Sequence, residues 1–239
     1  SHTINTFTRW LREHGIEHSI TASTGIAATH IGGMTIHSWS GIGIKRSLSE
    51  YDLDRIASTE HVAKRMRKTK VLIIDEVSML APDTLSMVDS VCKEVLGNQK
   101  PFGGLQIIFV GDFFQLPPIV RREEVSQDAL DGIDDLFDAP VARFAYDSPA
   151  WARANPIVCY LTEQHRQDDP TFLEVLSAIR RNTFSNEHLT HLKTRSTEVS
   201  KAPPSAPKLY SHNLDVDRIN EHTLGGIEGS PKSFVMKSA

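Results

Sequence analysis

The strongest constraint on this chain is the run Val71-Leu72-Ile73-Ile74, mostly β-branched and wholly apolar, which stops abruptly at Asp75-Glu76. Successive strand residues point to opposite faces, so an apolar run of this kind suits a strand covered on both sides, as in a parallel sheet sandwiched by helices. Leu105 to Val110 repeats the pattern and ends in Gly111-Asp112. Ile157 to Leu161 is expected to be a third such strand, leading into Thr162-Glu163-Gln164-His165-Arg166-Gln167. His18 to Ala22 predicts a shorter strand feeding Ser23-Thr24-Gly25. Helical spacing separates these runs. Ile4, Phe7, Trp10 and Leu11 recur along one face before Gly15. Pro82 to Leu96 opens with a proline suited to a first helical turn and aligns Leu85, Val88, Val91 and Val95. The expected class is therefore α/β, a parallel sheet flanked by helices.

Other stretches set the organisation. Lys45 to Lys70 breaks the strand–helix alternation and is expected to be an insertion on the sheet. Ala202 to Pro207 is proline-rich and predicts an extended connection, followed by a strand at Lys208 to Tyr210 and a helix at Asp215 to Leu224. With 239 residues, one large or two unequal domains are expected. A net charge of −4 argues against coating nucleic acid by bulk charge but leaves room for a local groove. The basic run Lys64, Arg65, Arg67, Lys68 and Lys70 reads as a solvated helix face, and Glu123 to Asp138 is acidic. Cys92 and Cys159 cannot make a disulfide framework and have no ligand-spaced partners, which fits a reducing, intracellular compartment. No apolar run is long enough to span a bilayer, so no membrane partner is expected.

In parallel sheets the chemistry gathers just past the carboxyl ends of the strands. Asp75, Glu76, Asp112, Gln115 and Arg166 all fall there by this reading. Adjacent carboxylates can divide labour, one holding Mg²⁺ and the next polarising a water. An acidic pair that merely solvates a loop is the plainer alternative. Gly111-Asp112-Phe113-Phe114-Gln115-Leu116-Pro117-Pro118 is more specific, because a double proline fixes a neutral amide where it can bond a phosphate or a water. Arg166 carries a permanently charged fork suited to phosphoryl oxygens.

Five strings occur in one order: Thr21 to Ala28, Gly33 to Ser38, Ile74 to Met79, Gly111 to Pro118, and His165-Arg166-Gln167. Together they resemble the Pif-one (petite integration frequency) helicases of helicase superfamily one, near RecD, and Lys100-Pro101-Phe102-Gly103-Gly104 is similar too. The resemblance implies a RecA-like P-loop NTPase domain over residues 1–160, with a small wedge-like insertion at 44–66. The start of a second, incomplete RecA-like domain would follow over 161–239. It implies ATP with Mg²⁺ and movement 5′ to 3′ along single-stranded DNA, with single-strand/duplex junctions as substrates. The protein would act as a monomer in genome maintenance, including repair, recombination, replication-fork and telomere roles. Its place would be the cytoplasm or nucleoid of a bacterium, or the nucleus or mitochondrion of a eukaryote. Carried over by position, Asp75 holds Mg²⁺, Glu76 is the catalytic base, Gln115 senses the γ-phosphate and Arg166 is an arginine finger. Ser23, Thr24 and Gly25, Thr35, His37 and Ser38, and Ser211, His212 and Asn213 would face DNA. Trp39 either stacks on bases or belongs to the core; His37 either serves DNA or is a buried histidine.

One departure is plain: the chain contains no G-x-x-x-x-G-K-S/T. The family's phosphate loop precedes the helix that opens here at residue 1. Ser1 would then be that motif's serine, a further Mg²⁺ and nucleotide contact, the alternative being an added Ser1-His2 remnant. Nothing after residue 225 resembles the family's late motifs. As it stands the chain is expected to be a partial motor, inactive alone. Other readings are a P-loop ATPase that does not translocate, and a truncated DNA-binding or scaffold module.

Overall fold

The computed structural model describes residues 2–118, 144–163, 168–197, 201, 203, 206–229 and 232. Ser1, Arg166 with its neighbours 164, 165 and 167, the acidic stretch 123–138, and much of the proline-rich stretch 202–207 lie outside them. The chain divides into two compact units, residues 1–163 and 164–239.

In the first unit, α1 (His2–Glu13) leads to β1 (His18–Ala22), α2 (Gly25–His30), β2 (Met34–Thr35) and α3 (Ile36–Ser40). The predicted insertion holds two helices, α4 (Glu50–Ser58) and α5 (Glu60–Lys68). Then come β3 (Val71–Asp75), α6 (Pro82–Leu96), β4 (Gln106–Phe109) and α7 (Pro149–Ala154). The four strands pair in the order β2-β1-β3-β4, every pair parallel.

β3 is buried along its whole length and divides the core by its own alternation. Val71 and Ile73 pack with Ile4 and Leu11 of α1 and Ala28 of α2. Leu72 and Ile74 pack on the other side with Ile36 and Trp39 of α3, Met66 of α5 and Leu85, Val88 and Val91 of α6. Helices therefore cover both faces, as the apolar run required. α6 has the bounds its sequence implied, with Pro82 in the first turn and Gly97 in a left-handed cap, φ 61°.

Two expected strands do not form. Ile157 to Leu161 has no strand pairing, and its apolar side chains are exposed; Ile157 is 92% accessible. Lys208 to Tyr210 is likewise outside any strand. The described residues of the second unit form α8 (Pro170–Arg180), α9 (Asn186–Thr194) and α10 (Asn213–Gly225). Asp169 caps α8 by accepting from the N–H groups of Thr171 and Phe172. No described helix is long and apolar enough to cross a membrane.

Candidate functional site

The strand register sets the site. Ala22 of β1 lies level with Asp75 of β3 and Thr35 of β2, while Ile74 pairs with Phe109 of β4. The strands end together, and backbone bonds tie the loops that follow. Ser23 N–H donates to the Asp75 carbonyl (3.2 Å), Val110 N–H to that of Ile74 (2.9 Å), and Val77 N–H to that of Val110 (3.0 Å). Gly111 is packed so closely that a Cβ there would sit 3.0 Å from both Val77 N and Val77 Cγ1.

On this rim Asp75 is buried, and its Oδ1 accepts the Glu76 N–H at 3.0 Å. Glu76 is half-buried and adopts a left-handed backbone, φ 53° and ψ 43°. A non-glycine residue in that region costs about 1–2 kcal/mol and persists only where its surroundings impose it. The neighbouring bonds from Glu76 N–H and Val77 N–H supply the imposition. Gln115 is exposed at the turn beyond β4. Its Nε2 donates to Asp112 Oδ2 at 3.2 Å, and its backbone N–H donates to the Asp112 carbonyl. Asp112 Oδ1 also accepts from Phe114 N–H at 3.1 Å. Asp112, which the sequence placed at the strand end without a task, thus orients the Gln115 amide. Asp75, Glu76 and Gln115 lie in two loops tied to each other; Arg166 and Ser1 fall outside the described residues.

Two hydroxyls beside these loops, Ser23 Oγ and Ser78 Oγ, are buried with no protein hydrogen-bond partner. A buried hydroxyl without a partner costs about 1–3 kcal/mol, so both mark places where a polar ligand group would be welcome. Ser78 was not singled out by its sequence, and only its burial beside Gly111 draws notice. Among the described residues no three His, Cys, Asp or Glu side chains gather as a metal cage. Mg²⁺ keeps most of its waters and needs only one or two carboxylates beside phosphate oxygens. Asp75, with one oxygen committed to Glu76 N–H, matches such a single-carboxylate role.

The expected DNA-facing segments follow β1 and β2. Thr24 caps α2 by accepting from Ala27 N–H, and Thr35 caps α3 by accepting from Ser38 N–H, both at 3.2 Å. Thr35 Oγ1 also donates to Ser38 Oγ at 3.0 Å, and Ser38 and Gly25 are exposed. Gly33 lets β2 approach β1, since a Cβ there would lie 2.3 Å from the Ile20 carbonyl oxygen. His37 is half-buried, and its burial lowers its pKa, keeping the imidazole neutral near pH 7. Trp39 is 1% accessible and sits in the core, so the base-stacking reading of that residue is withdrawn. In the second unit Ser211, His212 and Asn213 are exposed, and Ser211 Oγ lies 2.9 Å from His212 Nδ1.

Known proteins resemble this chain over most of its length. A family model described as PIF1-like helicase matches residues 1–187. The chain is 40% identical to the "ATP-dependent DNA helicase Pif1" of Psychrobacter sp. (strain PRwf-1), over 98% of its own length and 34% of that protein's. It therefore spans about a third of the length of that relative. Among solved structures, a Pif1 helicase from Candida albicans superposes with TM-score 0.76 at 30% identity, covering 95% of this chain and 48% of that one. A Bacteroides Pif1 helicase described in complex with ADP-AlF3 and ssDNA gives 0.73 at 31% identity, covering 90% and 48%. The parallel sheet with helices on both faces is the RecA-like fold of these proteins. On the extent of the family match and the identity over nearly its full length, the chain belongs to the PIF1-like helicase family.

Proposed function

We propose that this chain is part of an ATP-driven DNA helicase that moves 5′ to 3′ along single-stranded DNA and opens duplexes at junctions. The carrying observation is the shared rim, where the Asp75-Glu76 loop and the Gly111–Pro118 turn are tied through Val77 and Val110. ATP with Mg²⁺, when bound, supplies a scissile phosphoanhydride and charge neutralisation at its terminal phosphates. Asp75 would hold the ion, with Ser1 as a second contact. Glu76, fixed by its left-handed backbone, would take a proton from the attacking water. Gln115, steadied by Asp112, would bond the terminal phosphate or that water, and Arg166 would offset developing negative charge. In the first unit Ser23, Thr24, Gly25, Thr35, His37 and Ser38 would grip the strand by short polar contacts; the Ser211–Asn213 segment, in a second RecA-like domain, would contact DNA by the same means. Such contacts ignore base sequence. The similarity to an ATP-dependent DNA helicase Pif1 and to a Bacteroides Pif1 helicase in complex with ADP-AlF3 and ssDNA supports the same reading. Monomeric action inside the cell, in genome maintenance, belongs to this proposal.

The test uses the full-length protein and its Glu76→Gln variant. Single-stranded DNA should stimulate phosphate release, and a duplex with a 5′ overhang should unwind while one with a 3′ overhang should not. Glu76→Gln should retain ATP binding with turnover lowered by about a hundredfold or more. DNA-independent hydrolysis would favour a non-translocating ATPase, and DNA binding without hydrolysis a scaffold. Because G-x-x-x-x-G-K-S/T is absent from these 239 residues, the chain alone should show no DNA-stimulated phosphate release.

A further inference from the structure

The basic run at the end of α5 is not uniformly solvated. Lys64, Arg67, Lys68 and Lys70 are exposed, but Arg65 is half-buried and turned onto a different element. Its Nη2 donates to the Ser38 carbonyl at 2.6 Å and its Nε to the Trp39 carbonyl at 2.7 Å. These are two of the last carbonyls of α3, the five-residue helix that carries His37 and Ser38 and is capped by Thr35.

Both ends of so short a helix lie within about one turn, and helix of that length is not self-supporting. Two of its other carbonyls are met locally, Ile36 by Ser40 Oγ at 2.7 Å and His37 by Gly43 N–H at 3.3 Å. The Ser38 and Trp39 carbonyls bond a side chain from 26 or 27 residues further along the chain. A guanidinium fork can span two successive carbonyls, whereas an ammonium is a point donor.

A second observation joins the same parts. Gly41, at φ 78°, leaves α3 so close to the insertion that a Cβ there would meet Ile56 Cγ2 and Val62 Cγ2 at 3.2 Å. Trp39 shares a core with Ile56, Val62, Ala63 and Met66. Beyond Arg65, Thr69 Oγ1 donates to the Arg65 carbonyl at 2.8 Å and bonds Ser19 Oγ of β1 at 2.7 Å. The helix bearing Arg65 is thereby anchored to the sheet just before β3 delivers Asp75.

We propose that Arg65 is a positioning residue that fastens the α4–α5 insertion to the Thr35–Ser38 turn, so that the inserted helices and the strand-gripping surface move as one body. The assignment rests on the helicase reading above. Arg65 does not itself touch DNA; it sets the shape of the turn that does.

The experiment compares wild type, Arg65→Ala and Arg65→Lys in the full-length protein, with fluorescein-labelled oligothymidine as the probe. Arg65→Ala should raise the dissociation constant, and the oligothymidine concentration giving half-maximal ATPase stimulation, by about tenfold. The KM for ATP and the rate at saturating DNA should stay within about twofold of wild type. The slope of log affinity against log salt should be unchanged, because no phosphate contact is lost. Arg65→Lys, reaching one carbonyl, should fall between the two. An unchanged half-saturating DNA concentration would overturn the assignment. So would a salt slope reduced by about 0.7, the mark of a direct phosphate contact. Collapse of both variants in thermal melting would overturn it as well, leaving Arg65 a stability residue only. Absence of DNA stimulation in the wild type would instead strike the helicase reading.

Discussion

Removing the carboxylate of Asp89 should weaken the first unit more than any other single polar change on α6. Its side chain is 1% accessible and serves three donors. Oδ2 accepts from Lys93 Nζ at 2.6 Å and Arg153 Nη2 at 2.8 Å, and Oδ1 accepts the Phe102 N–H at 2.7 Å. The last bond holds a left-handed turn, Phe102 at φ 50° and Gly103 at φ 65°, that starts the chain toward β4. Asp89→Ala leaves a buried N–H without a partner, worth about 1–3 kcal/mol. It also strands two cations, but Arg153 is half exposed and Lys93 partly so, and water recovers much of that loss. The net cost is about 3 kcal/mol, below the upper range for a broken buried pair. In a chain of this size that corresponds to a drop of about 6–12 °C in Tm, read by circular dichroism on the 239 residues. Asp89→Asn keeps an acceptor for Phe102 and should cost about half as much. The pH dependence carries a sign. Burial opposes ionisation of Asp89, but the Lys93 bond, the Phe102 N–H and Arg153 outweigh it and hold the carboxyl below its usual range. Its stabilisation is therefore complete above about pH 4 and is lost as pH falls through the lower folded value. Wild-type and Asp89→Asn melting curves should converge at acid pH. A Tm shift under about 2 °C for Asp89→Ala, or a gap that persists unchanged at pH 2.5, would refute the reasoning.

Gly33→Ala should cost about 3 kcal/mol or prevent folding, since its Cβ would lie 2.3 Å from a backbone oxygen of β1; chemical denaturation measures it, and a change under about 1 kcal/mol would contradict the packing. Glu76→Gly should be more stable than Glu76→Ala by about 1 kcal/mol, because glycine adopts φ 53° without the strain a Cβ brings; equal melting temperatures would place Glu76 outside that conformation. Both variants should lack turnover in the full-length protein, so the stability difference between them would be read with no difference in activity.

The site was legible where a side chain's setting follows from its own segment. β3 could be read from an uninterrupted apolar run, and the acidic pair at its end had to emerge on the rim where it lies. The Gly111–Pro118 turn was visible as a string, and Asp112 added only the partner that steadies Gln115. Ile157 to Leu161 misled because a strand needs a neighbour for its backbone as well as an apolar face, and composition speaks only of the face. Trp39 and His37 had two readings each, since an aromatic at helical spacing is equally at home in a core or on a ligand.

What the sequence by itself determined is the central parallel strands with their covering helices, the Asp75-Glu76 and Gly111-Asp112 pairs just past two strand ends, and the family. These depend on hydrophobic period and on short strings, which are properties of neighbours in the chain. Tertiary structure alone decided that Asp89 is a buried hub, that Trp39 is core, and that one arginine of a basic run closes a helix end. Those outcomes arise from contacts across 64 residues for Asp89 with Arg153 and 26 for Arg65 with Trp39. A buried charge is tolerated only where donors converge on it, and that convergence exists only once the chain has folded.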